Sequence, residues 1–178
     1  PVLGRVNMVH EGEEAYNNIY QKVRSMWSYI YDNYYNDFDW VSWFGWALAM
    51  RCCQLMLSIC QFHIGGDDMY LLVENLRLYL ESEEIKTASN GGIYLPDGTE
   101  TMQTSLFLGR RFANQGKMDD IFISGGSGYT MNKAALKTLV VDGFPSTFPH
   151  AHTFSEDTMV AKIFRKYGVY PYPTQDEK

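Results

Sequence analysis

The sequence predicts a single α/β domain over residues 1–178, and three observations lead to that fold class. Two short apolar runs, "SLFLGRRF" and "DDIFIS", have the character of strands buried in an α/β sheet. Helical patterns alternate with the predicted strands along the chain. The length of 178 residues, with 46% apolar and 15% aromatic content, is enough for one sizeable core.

The first predicted element is an amphipathic helix over residues 13–35. Its apolar side chains recur every three or four positions and therefore share one face: Ala15, Ile19, Val23, Met26, Trp27, Ile30 and Tyr34. The sequence "NDFDW" that follows predicts a turn into a strand near Trp40. Residues 41–61 then change character, because they are nearly uncharged and lack the period of a surface helix.

The stretch "FHIGGDDMYLLVENLRLYL" predicts an apolar strand, a turn and a helix, with Asp67 and Asp68 in the turn. Ligands of open α/β sheets lie beyond the carboxyl ends of strands, and paired carboxylates suit a hard divalent cation. An acidic turn that precedes a helix has the same sequence. The residues alone leave both interpretations open.

The second half of the chain predicts a polar, Gly-rich loop over residues 82–104 and then the two strands already named. "GGSGY" predicts a turn. "NKAALKTLVV" predicts a helix capped by Asn132, and "SEDTMVAKIFRKYG" predicts a helix with Ser155 as its cap and Gly168 as its stop.

Several polar residues of this half are candidates for chemistry, each with a plain structural alternative. Glu156 and Asp157 open a helix, whose dipole stabilises negative charge and lowers the pKa of an acid there, so such a residue is either a base or part of the cap. Arg110 and Arg111 suit phosphate, or a structural ion pair. The four histidines have no ligand spacing and are treated as ordinary: His10, His63, His150 and His152.

Composition excludes some classes of protein. The formal net charge of −6 argues against a general nucleic-acid binder, which would present a basic face. Cys52, Cys53 and Cys60 all fall within residues 41–61, where they form neither a disulfide framework nor a zinc-type spacing with histidine.

Five motifs in this order resemble glycosyltransferase family 31, and most closely its core 1 β1,3-galactosyltransferase group. They are the "EG" before the long helix with "NDFDW", then "FHIGGDDMYLLVENLRLYL", "LFLGRRF", "SGGSGYTMNKAALKTL" and "SEDTMVAKIF". The likeness covers most of the chain. It implies a Rossmann-like GT-A fold, a UDP-sugar donor, Mn²⁺ and inverting transfer of galactose from UDP-galactose to O-linked GalNAc on glycoprotein. It also implies a Golgi membrane protein with a luminal catalytic domain and a homodimer.

The resemblance also assigns roles to individual residues. Asp68 and, second, Asp67 would bind the metal ion, and Asp157 would be the catalytic base. The residues implied to bind donor or acceptor are Gly125, Gly126, Tyr129, Trp40, Arg111 and Glu156.

The chain departs from the family pattern at several points. Gly66 stands where the family has the first acid of its triplet, and Pro149 and Ile163 stand where it has a pair of cysteines. We expect the chain to be incomplete at both ends, without the amino-terminal strands, the membrane anchor and a downstream histidine ligand. A non-catalytic, chaperone-like relative of the same fold is therefore the competing hypothesis.

Residues 41–61 are the largest departure, because removing them joins Trp40 to Phe62 and restores the family's strand. A transmembrane helix is one interpretation, although Arg51 near its middle would cost about 2.5–3.5 kcal/mol. A looped-out insertion is the second. The favoured third is a translated intron, because Val-Ser can be encoded by GTAAGT and Gln by CAG, the consensus ends of an intron.

Overall fold

The computed structural model describes five parts of the chain: residues 10–37, 40–44, 61–65, 72–90 and 104–174. They form a mixed arrangement of helices and small sheets, which confirms that the chain combines α and β structure. Most of the strand pairs in these parts are antiparallel, whereas the predicted alternation of strands and helices implies a parallel sheet. Asp67 and Asp68, together with Gly66, lie outside the described residues. The predicted metal ligands are therefore not placed by the structure.

The main sheet has four strands in the order β2-β1-β6-β3. These are β1 (Trp40–Phe44), β2 (Gln61–Gly65), β3 (Phe107–Gly109) and β6 (Tyr129–Asn132). Strands β1 and β2 run parallel, whereas β6 is antiparallel to both of its neighbours, β1 and β3. A separate two-stranded antiparallel sheet pairs β4 (Arg111–Ala113) with β5 (Ile121–Ile123).

In the described parts of the chain, six α-helical segments accompany these strands: α1 (Ile19–Tyr34), α2 (Val73–Leu80), α3 (Glu83–Ser89), α4 (Lys133–Lys137), α5 (Phe144–Ser146) and α6 (Glu156–Lys166). Helix α4 begins as predicted, because the Asn132 side chain accepts a hydrogen bond from the Ala135 amide at 3.0 Å. A π-helical turn, Thr138–Gly143, continues α4 into α5.

Helix α1 confirms the predicted amphipathic helix, preceded by a 3₁₀ turn at Tyr16–Asn18. Its apolar stripe is buried at Ile19, Tyr20, Val23, Trp27 and Ile30. This stripe belongs to one core cluster with α4, α6 and strand β6. Burial of that face stabilises the helix more than its intrinsic propensity does.

Aromatic rings form the centre of that core. The Phe107 ring lies 4.7 Å from the ring of Phe164 and 5.3 Å from that of Tyr129. The Tyr129 ring in turn lies 6.2 Å from Trp27 on α1. Edge and tilted contacts of this kind add about 0.5–1.5 kcal/mol per pair beyond burial. They anchor β3, β6, α1 and α6 to one another.

Helix α3 corrects the prediction of a polar loop over residues 82–104. Ser82 accepts a hydrogen bond from the Ile85 amide at 3.4 Å and so begins a helix, and the Ile85 side chain is fully buried. The error has a physical cause, because only two of the seven residues, Ile85 and Ala88, are apolar, which is too weak a period to mark a buried face.

Both predicted runs contain strands, but these strands belong to two different sheets. "DDIFIS" contains β5, yet β5 pairs with β4 in the small sheet and not in the main sheet. "SLFLGRRF" is divided between β3 and β4, which belong to different sheets. Local sequence identifies an extended segment, whereas its partner depends on residues far along the chain.

The start and end of residues 41–61 lie in strands. Residues 41–44 form β1 with Trp40, and Gln61 begins β2. Both ends of the segment are therefore extended and not helical. Residues 45–60 lie outside the described residues, so the transmembrane, looped-out and intron interpretations of 41–61 stay predictions. Separately, no helix in the described ranges combines the length and apolar character needed to cross a bilayer.

Candidate functional site

A Gly-rich turn between β5 and β6 meets the amino-terminal end of α6. The Gly125 amide donates a hydrogen bond to Asp157 Oδ2 at 3.0 Å. Gly125 is buried, and a Cβ atom built on it would collide with Oε1 of Glu156. The backbone therefore approaches these two carboxyl groups as closely as only glycine permits.

Glu156 lies at the end of a buried chain of hydrogen bonds. Trp27 Nε1 donates to the Tyr129 hydroxyl at 3.3 Å, and that hydroxyl donates to Glu156 Oε2 at 3.3 Å. The exposed fraction of Glu156 is 6% and that of Tyr129 is 1%. Tyr129 thus reaches the site through its hydroxyl group, by holding Glu156 in place.

Burial and, second, the neighbouring charge of Asp157 together raise the pKa of Glu156 to about 8, while the Tyr129 hydroxyl opposes the shift. Glu156 is therefore mostly protonated at neutral pH. The expectation that the helix dipole lowers its pKa was wrong for this residue, because the loss of hydration outweighs the dipole. Burial also raises the pKa of Tyr129 well above its usual value.

Asp157 has a different environment. Its side chain is half-buried, with Oδ1 accepting a hydrogen bond from the Thr158 amide at 2.7 Å in addition to Oδ2 accepting from Gly125. Each carboxylate oxygen has two lone pairs, so capacity remains for a further donor. Asp157 is thus a carboxylate that backbone amides orient and solvent can reach.

The predicted cap of α6 differs from the observed one. Ser155 makes no side-chain capping bond. Its own amide donates to the Thr153 hydroxyl at 3.1 Å, and the orphan amide of Thr158 is satisfied by Asp157 instead. The predicted stop is confirmed, because Gly168 adopts a φ of +73° directly after the last turn.

The carboxyl groups of Glu156 and Asp157 have different environments although the two residues are adjacent in sequence. Glu156 is a buried, neutral acid at pH 7, whereas Asp157 is partly accessible to solvent. Two titratable groups whose environments differ in this way are a common basis for acid–base chemistry. The arrangement suits removal of a proton from a bound molecule by Asp157, while Glu156 remains uncharged and hydrogen-bonded to Tyr129.

The remaining predicted site residues lie at different distances from this centre. Gly126 is exposed on the same turn. Arg111 is exposed and is paired with Ile123 in the small sheet. Ile123 is the last residue of β5 before the Gly-rich turn. The backbone of Trp40 pairs with Asn132, at the end of β6 away from the turn. The structure thus brings together Gly125, Gly126, Tyr129, Glu156 and Asp157.

Within the described residues, neither Arg110 nor Arg111 makes an ion pair with a carboxylate. The Arg110 guanidinium lies over the Phe112 ring at 5.1 Å, and the Arg110 carbonyl accepts a hydrogen bond from the Ser124 amide at 3.1 Å. The ion pair of this region joins Arg165 to Asp120 at 2.8 Å. Arg110 therefore supports the Gly-rich turn through its backbone.

The sequence did not predict that Trp27 donates a hydrogen bond to Tyr129. It also did not predict a polar cluster at the start of α1. Three histidines treated as ordinary meet around the start of α1: His152 Nδ1 lies 2.7 Å from Asn18 Oδ1, His10 contacts Glu14, and His150 contacts Glu11. Nothing in their spacing indicates this. Across the described ranges, no three His, Cys, Asp or Glu residues are arranged to hold a metal ion.

A comparison of the chain with protein-family models gives no match.

Two buried tyrosines test the hydrogen-bond chain. We expect Tyr129→Phe to lower the free energy of unfolding by about 1–2 kcal/mol, because it removes the hydroxyl that bridges Trp27 and Glu156. Tyr20 is the matched control, because its buried hydroxyl has no partner within the described part of the chain. Tyr20→Phe should leave stability unchanged or raise it. Urea denaturation compares the two, and equal losses would contradict the assignment.

Proposed function

We propose that this protein is an inverting, metal-dependent β1,3-glycosyltransferase of GT-A fold. It would move galactose from UDP-galactose to an O-linked GalNAc acceptor on glycoprotein. The observation that carries the proposal is the contact between "SGGSGY" and "ED", two motifs of the family resemblance. Their contact is the Gly125–Asp157 hydrogen bond, between residues 32 positions apart in sequence.

Asp157 is the proposed catalytic base. Inverting transfer occurs by a single displacement, for which one group must accept the proton of the acceptor hydroxyl. The half-buried Asp157 is oriented by the amides of Gly125 and Thr158, so its free lone pairs have a defined direction. Glu156 is poorly suited to the same role, because a pKa of about 8 leaves it mostly protonated at pH 7.

Gly126, Arg111 and Trp40 are proposed to contact the donor or the acceptor. Gly126 is suited to such a contact, because it is exposed on the Gly-rich turn and leaves space where a sugar could approach the backbone. The exposed cation of Arg111 suits a diphosphate. Tyr129 acts indirectly, since it positions Glu156.

Mn²⁺ is the proposed cofactor, bound by Asp68 and Asp67. Carboxylate oxygens are ligands that such hard divalent cations prefer. When bound, the ion would supply Lewis-acid stabilisation of the departing UDP. With this function the protein would act on the luminal side of the Golgi membrane.

A non-catalytic, chaperone-like relative is the second candidate. Gly66, in place of the first acid of the family triplet, favours it, because one carboxylate fewer weakens a metal site. The acids Asp67, Asp68 and Asp157 are retained, which favours the enzyme.

Two isosteric substitutions separate binding from catalysis. We expect Asp68→Asn to abolish Mn²⁺-dependent binding of UDP with unchanged thermal unfolding. Asp157→Asn should retain UDP binding and lose at least about 100-fold in transfer, the usual contribution of a general base. Calorimetry with UDP and Mn²⁺, and transfer to a GalNAc-bearing glycopeptide, measure the two effects. UDP binding without transfer by the parent chain would favour the non-catalytic candidate, and transfer by Asp157→Asn would refute the base.

A further inference from the structure

The pairing of β1 with β2 relates the two ends of residues 41–61 in a specific register. Trp40, the residue before the segment, lies opposite Gln61, its last residue. Val41 then lies opposite Phe62, and Ser42 opposite His63. The first residue of the segment is therefore level with the first residue after it.

This register has a consequence for a chain without the segment. Trp40 would then be bonded to Phe62, and residues 62–65 would continue the strand from the point where residues 41–44 now begin. The two stretches share a pattern, since Val41 and Phe62 are apolar and Ser42 and His63 are polar. No slip of one residue arises, and such a slip would exchange the two faces of a strand.

The neighbouring strand requires an occupant at this position. β6 pairs with β1 on one side and β3 on the other, and Thr130 and Met131 at its centre are buried. A vacant position would leave buried backbone N–H and C=O groups of β6 without hydrogen-bond partners, which is unfavourable. Residues 62–65 are the ones that Trp40 would deliver there.

We propose that residues 41–44 and 62–65 are alternative occupants of one position in the main sheet. In the full chain, residues 41–44 lie beside β6, and residues 62–65 lie one strand further out. In a chain lacking 41–61, residues 62–65 lie beside β6, with Phe62 opposite Met131 and His63 opposite Thr130. The carboxyl end of this strand moves inward by about 4.8 Å, the spacing between strands. The proposal is independent of the transferase activity.

Disulfide trapping tests this exchange. Deletion of residues 41–61 also removes every cysteine of the chain, so introduced pairs have no background. We expect His63→Cys with Thr130→Cys to form a disulfide in the deletion variant, because opposed residues of antiparallel strands have Cα atoms about 4.5–5.5 Å apart. Mass spectrometry of non-reduced digests identifies the bond.

The full chain, with Cys52, Cys53 and Cys60 changed to Ser, supplies the controls. There, Ser42→Cys should bond to Thr130→Cys, whereas His63→Cys should not, because two strand spacings of about 10 Å exceed the reach of a disulfide. A deletion variant that folds without the His63–Thr130 bond would overturn the proposal. So would a deletion variant whose circular dichroism shows no cooperative unfolding, because the proposal requires both forms to build the sheet.

Discussion

Gly125→Ala is expected to destabilise the protein by about 1–3 kcal/mol, whereas Gly126→Ala changes stability by less than about 0.5 kcal/mol. A methyl group on Gly125 meets Oε1 of Glu156, whose rotation away would lose the hydrogen bond from Tyr129 inside a buried site. The nearest atom to a methyl group on Gly126 is Ser124 Oγ at 3.8 Å. Neither glycine has a positive φ, so the comparison measures space alone.

Urea denaturation of the two alanine variants measures this difference. A double-mutant cycle makes it specific, because Glu156→Ala removes the atom that the new methyl group would meet. Gly125→Ala should therefore cost much less in the Glu156→Ala background than in the parent. An unchanged cost in that background would mean that the turn itself, and not Glu156, requires glycine.

Glu156→Gln is expected to become increasingly stabilising, relative to the parent chain, as the pH rises from 5 to 8. The folded state raises the pKa of Glu156 from 4.5 to about 8. Between these values the folded chain holds a proton that the unfolded chain has released. Raising the pH therefore favours unfolding, by at most about 1.4 kcal/mol per pH unit. Glutamine has no such proton and keeps an oxygen that can accept from Tyr129.

Unfolding free energies at pH 5, 6.5 and 8 test this prediction. The informative quantity is the difference between the parent chain and the variant, since other titrating groups cancel in it. Glu74→Gln, at an exposed position in the first turn of α2, is the control and should show no such trend. A parent-minus-variant difference that stays flat across the range would contradict a buried, neutral Glu156.

The two oxygens of Glu156 have different neighbours: Oε1 lies against Gly125, and Oε2 accepts from Tyr129. Gly125 leaves space for the carboxyl group of Glu156, and the bond from Tyr129 holds that group against the turn. The adjacent Asp157 is thereby left as the carboxylate that solvent reaches. The division of roles proposed for the transferase depends on this packing.

Much of the helical structure follows from the sequence, because its signals are local. The apolar period that includes Ile19, Val23, Trp27 and Ile30 marks α1, and Asn132 marks the start of α4 through its own side chain. Gly168 marks the end of α6. Each signal acts within one or two turns, so the tertiary structure has little to change.

The candidate site was predicted in part. The resemblance selected five residues that the structure brings together: Gly125, Gly126, Tyr129, Glu156 and Asp157. The resemblance did not identify Trp27 as the residue that donates to Tyr129. A tryptophan within an apolar stripe is predicted to be a core residue, and its sequence context does not indicate the partner of its Nε1. Nor did spacing indicate that His10, His150 and His152 meet around the start of α1.

The sequence by itself determined that the chain mixes helices and strands, the positions of α1, α2, α4 and α6, and the residue types available for acid–base chemistry. Only the tertiary structure decided which strands pair, that β5 joins β4, and that β1 lies beside β2 in register. It also decided that Glu156 is neutral while Asp157 is accessible. Strand pairing and burial depend on contacts between residues distant in the chain, such as Trp27 and Tyr129, 102 positions apart. Local pattern carries no information about such contacts.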